Sequence, residues 1–150
     1  MLKQKKGFTL LEIVASIFIL SFVFTSAISI FISVRTQAFA TQERMRAVEA
    51  GTQIRTIFIQ NTPYSIASLW LETQPSGEVV IDSTSCDAGV FNCSAIFNVS
   101  VNDRLYDNID IVFTLIDDYE AYQVIHFKII IPYFRTRTVE MRGILYESIV

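Results

Sequence analysis

From Ile13 to Val34 the chain carries no charge, and apolar side chains fill most positions, with Ser16, Ser21, Thr25, Ser26, Ser29 and Ser33 set among them. At about 1.5 Å per residue such a helix reaches roughly 33 Å, against a bilayer hydrocarbon core of about 30 Å. After Arg35 the pattern changes. Ala47, Ala50 or Gly51, Ile54, Ile57 and Phe58 recur at helical spacing, while Arg44, Arg46, Glu49, Gln53 and Arg55 occupy much of the rest. No proline interrupts before Pro63, so one long helix is predicted to start near Thr9 and to end near Gln60. Gly51 reads as a mild helix weakness or a point of close packing.

The last third follows a period of two. Asn108–Ile116 places Ile109, Ile111, Phe113 and Leu115 on one face. Tyr122–Ile131 places Ile125, Phe127, Ile129 and Ile131 on one face and Val124, His126, Lys128 and Ile130 on the other. Val139, Met141 and Leu145 share a face in a final strand. Alternation of this kind predicts half-buried antiparallel strands. Turns are expected at Asp117-Asp118 and near Phe134–Thr136, and Pro132 is expected to end its strand, having no N–H for the ladder. Residues 62–108 read as irregular, with short strands at Glu78–Asp82 and Ala95–Val101, and with Trp70, Leu69 and Leu71 closing a core edge. The apolar strand faces need cover, and the 47–58 helix face is the one long partner. The fold class is therefore α+β: a long N-terminal helix, half membrane-type and half amphipathic, packed on a C-terminal antiparallel sheet.

Charge gives this arrangement a direction. Lys3, Lys5 and Lys6 precede the apolar run, which holds the start of the chain on the cytoplasmic side and sends the rest outward. Glu12 is out of place among apolar neighbours. A carboxylate there is costly and often functional. It can instead snorkel to the interface, or stay protonated because desolvation raises its pKa.

The run Gly7-Phe8-Thr9-Leu10-Leu11-Glu12, behind a short basic leader and ahead of the apolar helix, resembles the processing site of type IV prepilins and pseudopilins. The resemblance implies a leader of residues 1–7, removed by prepilin peptidase between Gly7 and Phe8, and N-methylation of Phe8. It implies an assembly role for Glu12, paired with the Phe8 amine of a neighbouring subunit. The remaining boundaries follow: 8–34 as the membrane and assembly half of the helix, 35–61 as its amphipathic half, and 62–150 as an outward β-rich domain. The implied partners are prepilin peptidase, other pilin or pseudopilin subunits, and the assembly platform, in a bacterial cytoplasmic membrane. The sequence departs from the commonest family pattern in one respect: positions 13–34 hold neither Gly nor Pro to break the helix. A reading outside the family is a single-pass membrane protein with an external binding domain and no polymer.

Cysteine, histidine and net charge narrow the chemistry. Cys86 and Cys93 flank a plausible loop and can close a disulfide outside the membrane, or stand as two free thiols. His126 is the sole histidine, and Asp117-Asp118 lacks the spaced oxygen ligands of a calcium loop, so no metal or other cofactor is expected. No nucleophile motif, phosphate loop or dinucleotide fingerprint is present, which argues against an enzyme. Without the leader lysines, 9 basic side chains face 15 acidic ones, a net −6. That balance argues against direct nucleic-acid binding, leaving only the Arg135, Arg137 and Arg142 region as a local basic patch.

Overall fold

A computed structural model of the chain describes residues 9–75, 77–114 and 123–147. Two compact units divide it, Met1–Ala40 and Thr41–Val150. Helix α1 (Leu10–Asn61) contributes to both. The layout is the pilin-like α+β one, a long N-terminal helix followed by an antiparallel sheet.

The Thr41–Val150 unit is built on the amphipathic part of α1. Ala47, Ala50, Ile54 and Phe58 are fully buried, and Ile57 is half-buried. They cover a four-stranded sheet of β1 (Glu78–Ile81), β4 (Asp110–Thr114), β5 (Val124–Phe134) and β6 (Arg137–Tyr146), in the order β1-β4-β5-β6, with every pair antiparallel. The alternation read from sequence is the burial observed along β5, with Ile125, Phe127, Ile129 and Ile131 buried, and at Val139 and Leu145 of β6; in β4 Ile111 and Phe113 are buried as expected, but Val112 between them is buried as well. On the opposite face Lys128 reaches Glu78 at 3.4 Å, a bridge from β5 to β1 that spans β4. Phe58 is the hub of the core, with the Phe127 ring at 4.7 Å, Phe91 at 5.7 Å and Phe113 at 5.9 Å.

Two glycines are packing sites. A Cβ on Gly51 would lie 2.8 Å from Ile131 Cδ1 and nearer still to Met141 Sδ, so the helix approaches the sheet where it has no side chain. This is the close-packing alternative for Gly51. Gly143 pairs with Phe127 across β5 and β6, and the phenyl ring fills the space that a side chain would take.

The middle of the chain differs from its expectation. Pro63 does stop α1, but it also begins a second helix, α2 (Tyr64–Glu72), with Ala67 and Leu71 buried one turn apart. Trp70, on α2, meets Phe91 edge-on at 5.1 Å and does close a core edge. The segment 95–101 is not one strand. Asn92 accepts a hydrogen bond from the Ala95 N–H and caps a short helix, α3 (Cys93–Ile96), so strand β2 (Val99–Val101) starts later. β2 forms a hairpin with β3 (Arg104–Tyr106) through Asn102 and Asp103, both at positive φ, as a tight two-residue turn requires. Pro132 does not end its strand. The pairing of β5 with β4 stops at Ile130, so Pro132 lies where β5 has become an edge, and a register irregularity follows it. The turn at Arg135-Thr136 is as expected. Leu115, the Asp117-Asp118 turn and Tyr122 lie outside the described residues.

Candidate functional site: the exposed apolar helix start

Thr9 precedes the first helical residue and sets how α1 begins. Its Oγ1 accepts a hydrogen bond from the Glu12 N–H at 3.3 Å, and its carbonyl accepts from the same N–H at 3.0 Å. Thr9-Leu10-Leu11-Glu12 therefore has the spacing of a capping box, with Glu12 at the third helical position. A carboxylate in the first turn also favours the positive end of the helix dipole. Glu12 thus has a local role that the sequence reading did not weigh. It does not use up the carboxylate, which is exposed and makes no hydrogen bond or ion pair with any described residue.

Around and beyond Glu12 the helix surface is an unbroken apolar sheath. Leu10 and Leu11 are 83% and 80% exposed, and Ile13, Val14, Ile17, Phe18, Phe22 and Phe31 are each at least half exposed. The helix is long and apolar enough to cross a membrane, and none of its most apolar window is buried within the chain. Such a surface needs lipid or other protein around it.

Six hydroxyl side chains along the sheath turn back onto the helix's own backbone. Ser16 donates to the Glu12 carbonyl, Ser21 to Ile17, Thr25 to Ser21, Ser26 to Phe22, Ser29 to Thr25 and Thr36 to Ile32, all at 2.7–3.0 Å. Each satisfies its hydroxyl within its own helix. Gly7 and Phe8, the expected cleavage and methylation positions, lie outside the described residues.

Cys86 and Cys93 are joined by a disulfide, with Cα atoms 6.0 Å apart. The closed loop holds Phe91, which is buried and packs against Phe58, Trp70 and Phe113. The bridge therefore pins a loop whose one large apolar side chain completes the core. His126 is exposed on the outer sheet face, and the described residues contain no cluster that could hold a metal ion.

Sequence reasoning missed one charged site. Glu43, 3% exposed, receives Arg46 Nη1 on one carboxylate oxygen at 2.9 Å and Arg104 Nη1 on the other. Arg104 also lies over the Tyr106 ring, 5.3 Å from its centroid. The bridge fastens the amphipathic part of α1 to the β2–β3 hairpin. A signal was available. Glu43 lies four residues before Ala47 on the stripe that continues through Ala50, Ile54 and Phe58, and a carboxylate on a buried stripe calls for a partner.

Residues 2–28 match a family model described as the prokaryotic N-terminal methylation motif. No curated protein and no solved structure matches the chain.

Proposed function

From the premise that the chain is type IV prepilin-like, carrying the prokaryotic N-terminal methylation motif, we propose that it is a structural subunit of a filament, a minor pilin or pseudopilin. Prepilin peptidase removes residues 1–7 on the cytoplasmic side and methylates Phe8. Residues 8–34 then hold the subunit in the bacterial cytoplasmic membrane, with the sheet domain outside, until it polymerises through that helix in a type IV pilus or a secretion or competence pseudopilus.

The observation that carries this reading is the Glu12 carboxylate, without a partner among the described residues, inside an exposed apolar sheath that matches the motif. Cleavage creates an amine at Phe8. Each subunit then holds one cation and one carboxylate in a greasy place, and a neighbour at the right stagger satisfies both. Leaving one member of such a pair unmatched costs several kcal/mol in a buried setting, about 3–5 by the usual measure, so the pair acts as a check on register.

The first test is mass spectrometry of the native membrane protein, where a chain starting at methylated Phe8 is expected. A chain retaining Met1–Gly7 would instead favour the single-pass anchor. The second test uses the capping geometry. Glu12→Gln keeps a side chain that suits a capping box but loses the charge, whereas Glu12→Ala loses both. Both variants are expected to be cleaved normally and excluded from filaments. Normal incorporation of Glu12→Gln would sink the pairing mechanism and leave Glu12 with only its place in the first turn of the helix.

A further inference from the structure

The face of the sheet turned away from α1 carries an open recess of about 280 Å³. The backbone of Phe127 and Gly143, paired across β5 and β6, forms its floor, because the Phe127 ring is turned into the core. Its walls are Thr114, His126, Lys128 and Arg142. Strand register sets them there. Thr114 lies opposite His126 across β4 and β5, and Lys128 lies opposite Arg142 across β5 and β6. Every wall side chain can donate a hydrogen bond, three of them are of basic type, and no carboxylate is on the lining.

Two further observations set this wall apart from an ordinary solvated strand face. Like charges directly opposite each other on an antiparallel pair are destabilising, and Lys128 and Arg142 stand so. Nothing among the described residues offsets this at Arg142, whose guanidinium makes no hydrogen bond or ion pair with any of them, although Glu140 stands on the same strand face. Lys128 has only Glu78, which is 60% exposed and 3.4 Å away, a contact of the kind that is worth little in water. The second observation concerns the local basic patch expected from Arg135, Arg137 and Arg142, which the fold divides. Arg137 pairs with Phe134 at the far end of β6, roughly 16 Å of strand from Arg142. Arg142 instead joins Lys128 and His126, so basic groups gather at a point and not along a track. A point suits one anion, whereas a nucleic-acid backbone calls for a row of contacts.

We propose that this recess binds a phosphate monoester, a single dianionic phosphoryl group. A carboxylate has two oxygens in one plane. A tetrahedral oxyanion presents oxygens in several directions and can accept from both pairs of walls at once. The Arg142 fork takes two oxygens side by side, Lys128 contributes a point charge, and Thr114 and His126 donate from across the recess. An anion held between Lys128 and Arg142 turns a repulsive cross-strand pair into two attractive contacts. The recess opens to solvent, so whatever carries the phosphoryl group extends outward, and a sugar phosphate and the free ion share this chemistry. The site is independent of filament assembly, and its test does not read assembly.

The experiment is an amide NMR titration of the full chain in maltoside micelles at constant ionic strength, with glucose 1-phosphate, inorganic phosphate and the diester dimethyl phosphate as probes. Glucose 1-phosphate is expected to shift the Phe127 and Gly143 amides with a Kd in about the millimolar range, as suits a small ligand on an open surface. Dimethyl phosphate should bind about 5-fold more weakly or worse, having one charge fewer. Arg142→Gln should weaken glucose 1-phosphate by roughly 10-fold, while leaving the melting temperature without ligand unchanged or raised, because a like charge opposite Lys128 is gone. Glu78→Gln frees Lys128 and should tighten binding about 2-fold. Arg135→Gln, outside the recess, should leave the affinity unchanged. Glucose 1-phosphate bound at least about 5-fold more tightly than inorganic phosphate assigns the site to a sugar phosphate, and equal affinities assign it to the free ion. Absence of shifts at Phe127 and Gly143, equal binding of dimethyl phosphate, or unchanged affinity in Arg142→Gln would each overturn the proposal and leave the wall as a solvated strand face.

Discussion

Gly143→Ala is the sharpest probe of the core, because its cost follows from one ring that cannot move. The new Cβ would lie 2.7 and 2.8 Å from Phe127 Cε1 and Cε2, with Cζ nearer still. Three atoms of one rigid ring are struck at once, so rotating the side chain offers no escape. The ring is also held from behind by Phe58 at 4.7 Å and Phe113 at 6.4 Å. Overpacking a filled core costs about 1–3 kcal/mol, and replacing a strand glycine returns roughly 0.5–1 kcal/mol of backbone entropy. With the ring blocked, the upper part of the range applies, leaving a net loss of about 2 kcal/mol. For a domain of this size that lowers the melting temperature by roughly 6–12 °C. Thermal unfolding followed by near-ultraviolet circular dichroism reads it. Shortening the ring with Phe127→Leu should recover part of the loss, so the pair should couple by about 1 kcal/mol in a double-mutant cycle. Gly51→Ala is the control. Its Cβ meets the flexible ends of Met141 and Ile131, and helix propensity returns about 1 kcal/mol, so the net change should be smaller. A Gly143→Ala protein melting within about 1 °C of wild type, or an additive cycle, would refute the fixed-ring account.

Two further outcomes follow from charged groups. Glu43→Ala should destabilise the domain by about 1–3 kcal/mol in denaturant titration; the figure lies below that for a fully buried pair because Arg46 and Arg104 are 29% and 42% exposed and can rehydrate. Asp82 Oδ1 accepts from the Thr84 hydroxyl, the Ser85 N–H, the Ser85 hydroxyl and the Thr84 N–H, which hold the carboxyl well below the usual carboxylate range. A depressed folded-state pKa contributes stability that is complete above the unfolded value near pH 4 and is lost as pH falls through the folded value. The stability gap between wild type and Asp82→Ala should therefore be widest at neutral pH and narrow steadily below about pH 4, and a gap independent of pH would contradict this origin.

What could be read from the sequence depended on the range of the cause. The strand faces of β4, β5 and β6 were legible because burial imposes a period of two over many residues, and the α1 stripe from Ala47 to Phe58 because it imposes a helical one. α2 was hidden because nine residues give only two buried positions, Ala67 and Leu71, and Pro63 served both as a stop and as a start. The 95–101 segment misled because its apolar residues suit either state, and the Asn92 cap decided Ala95 and Ile96 in favour of helix. Pro132 misled because a proline ends only a strand paired on both sides, and sequence does not reveal which strands are edges. At the candidate site, the motif and Glu12 were plain in order of residues. The Glu43–Arg104 contact was not, since the two lie 61 positions apart.

The backward hydrogen bonds of Ser16, Ser21, Thr25, Ser26, Ser29 and Thr36 bear on how this helix could change surroundings. A polar group that relied on a neighbouring molecule would resist leaving it. These hydroxyls rely on their own backbone, so the same helix keeps the same internal bonds with lipid on every side or with other helices against it. Their small size lets another helix come close, and their satisfied state asks nothing of it. Such a segment is portable. Extraction from a bilayer and return to it would differ in packing and in the fate of Glu12, with those six bonds left as they are.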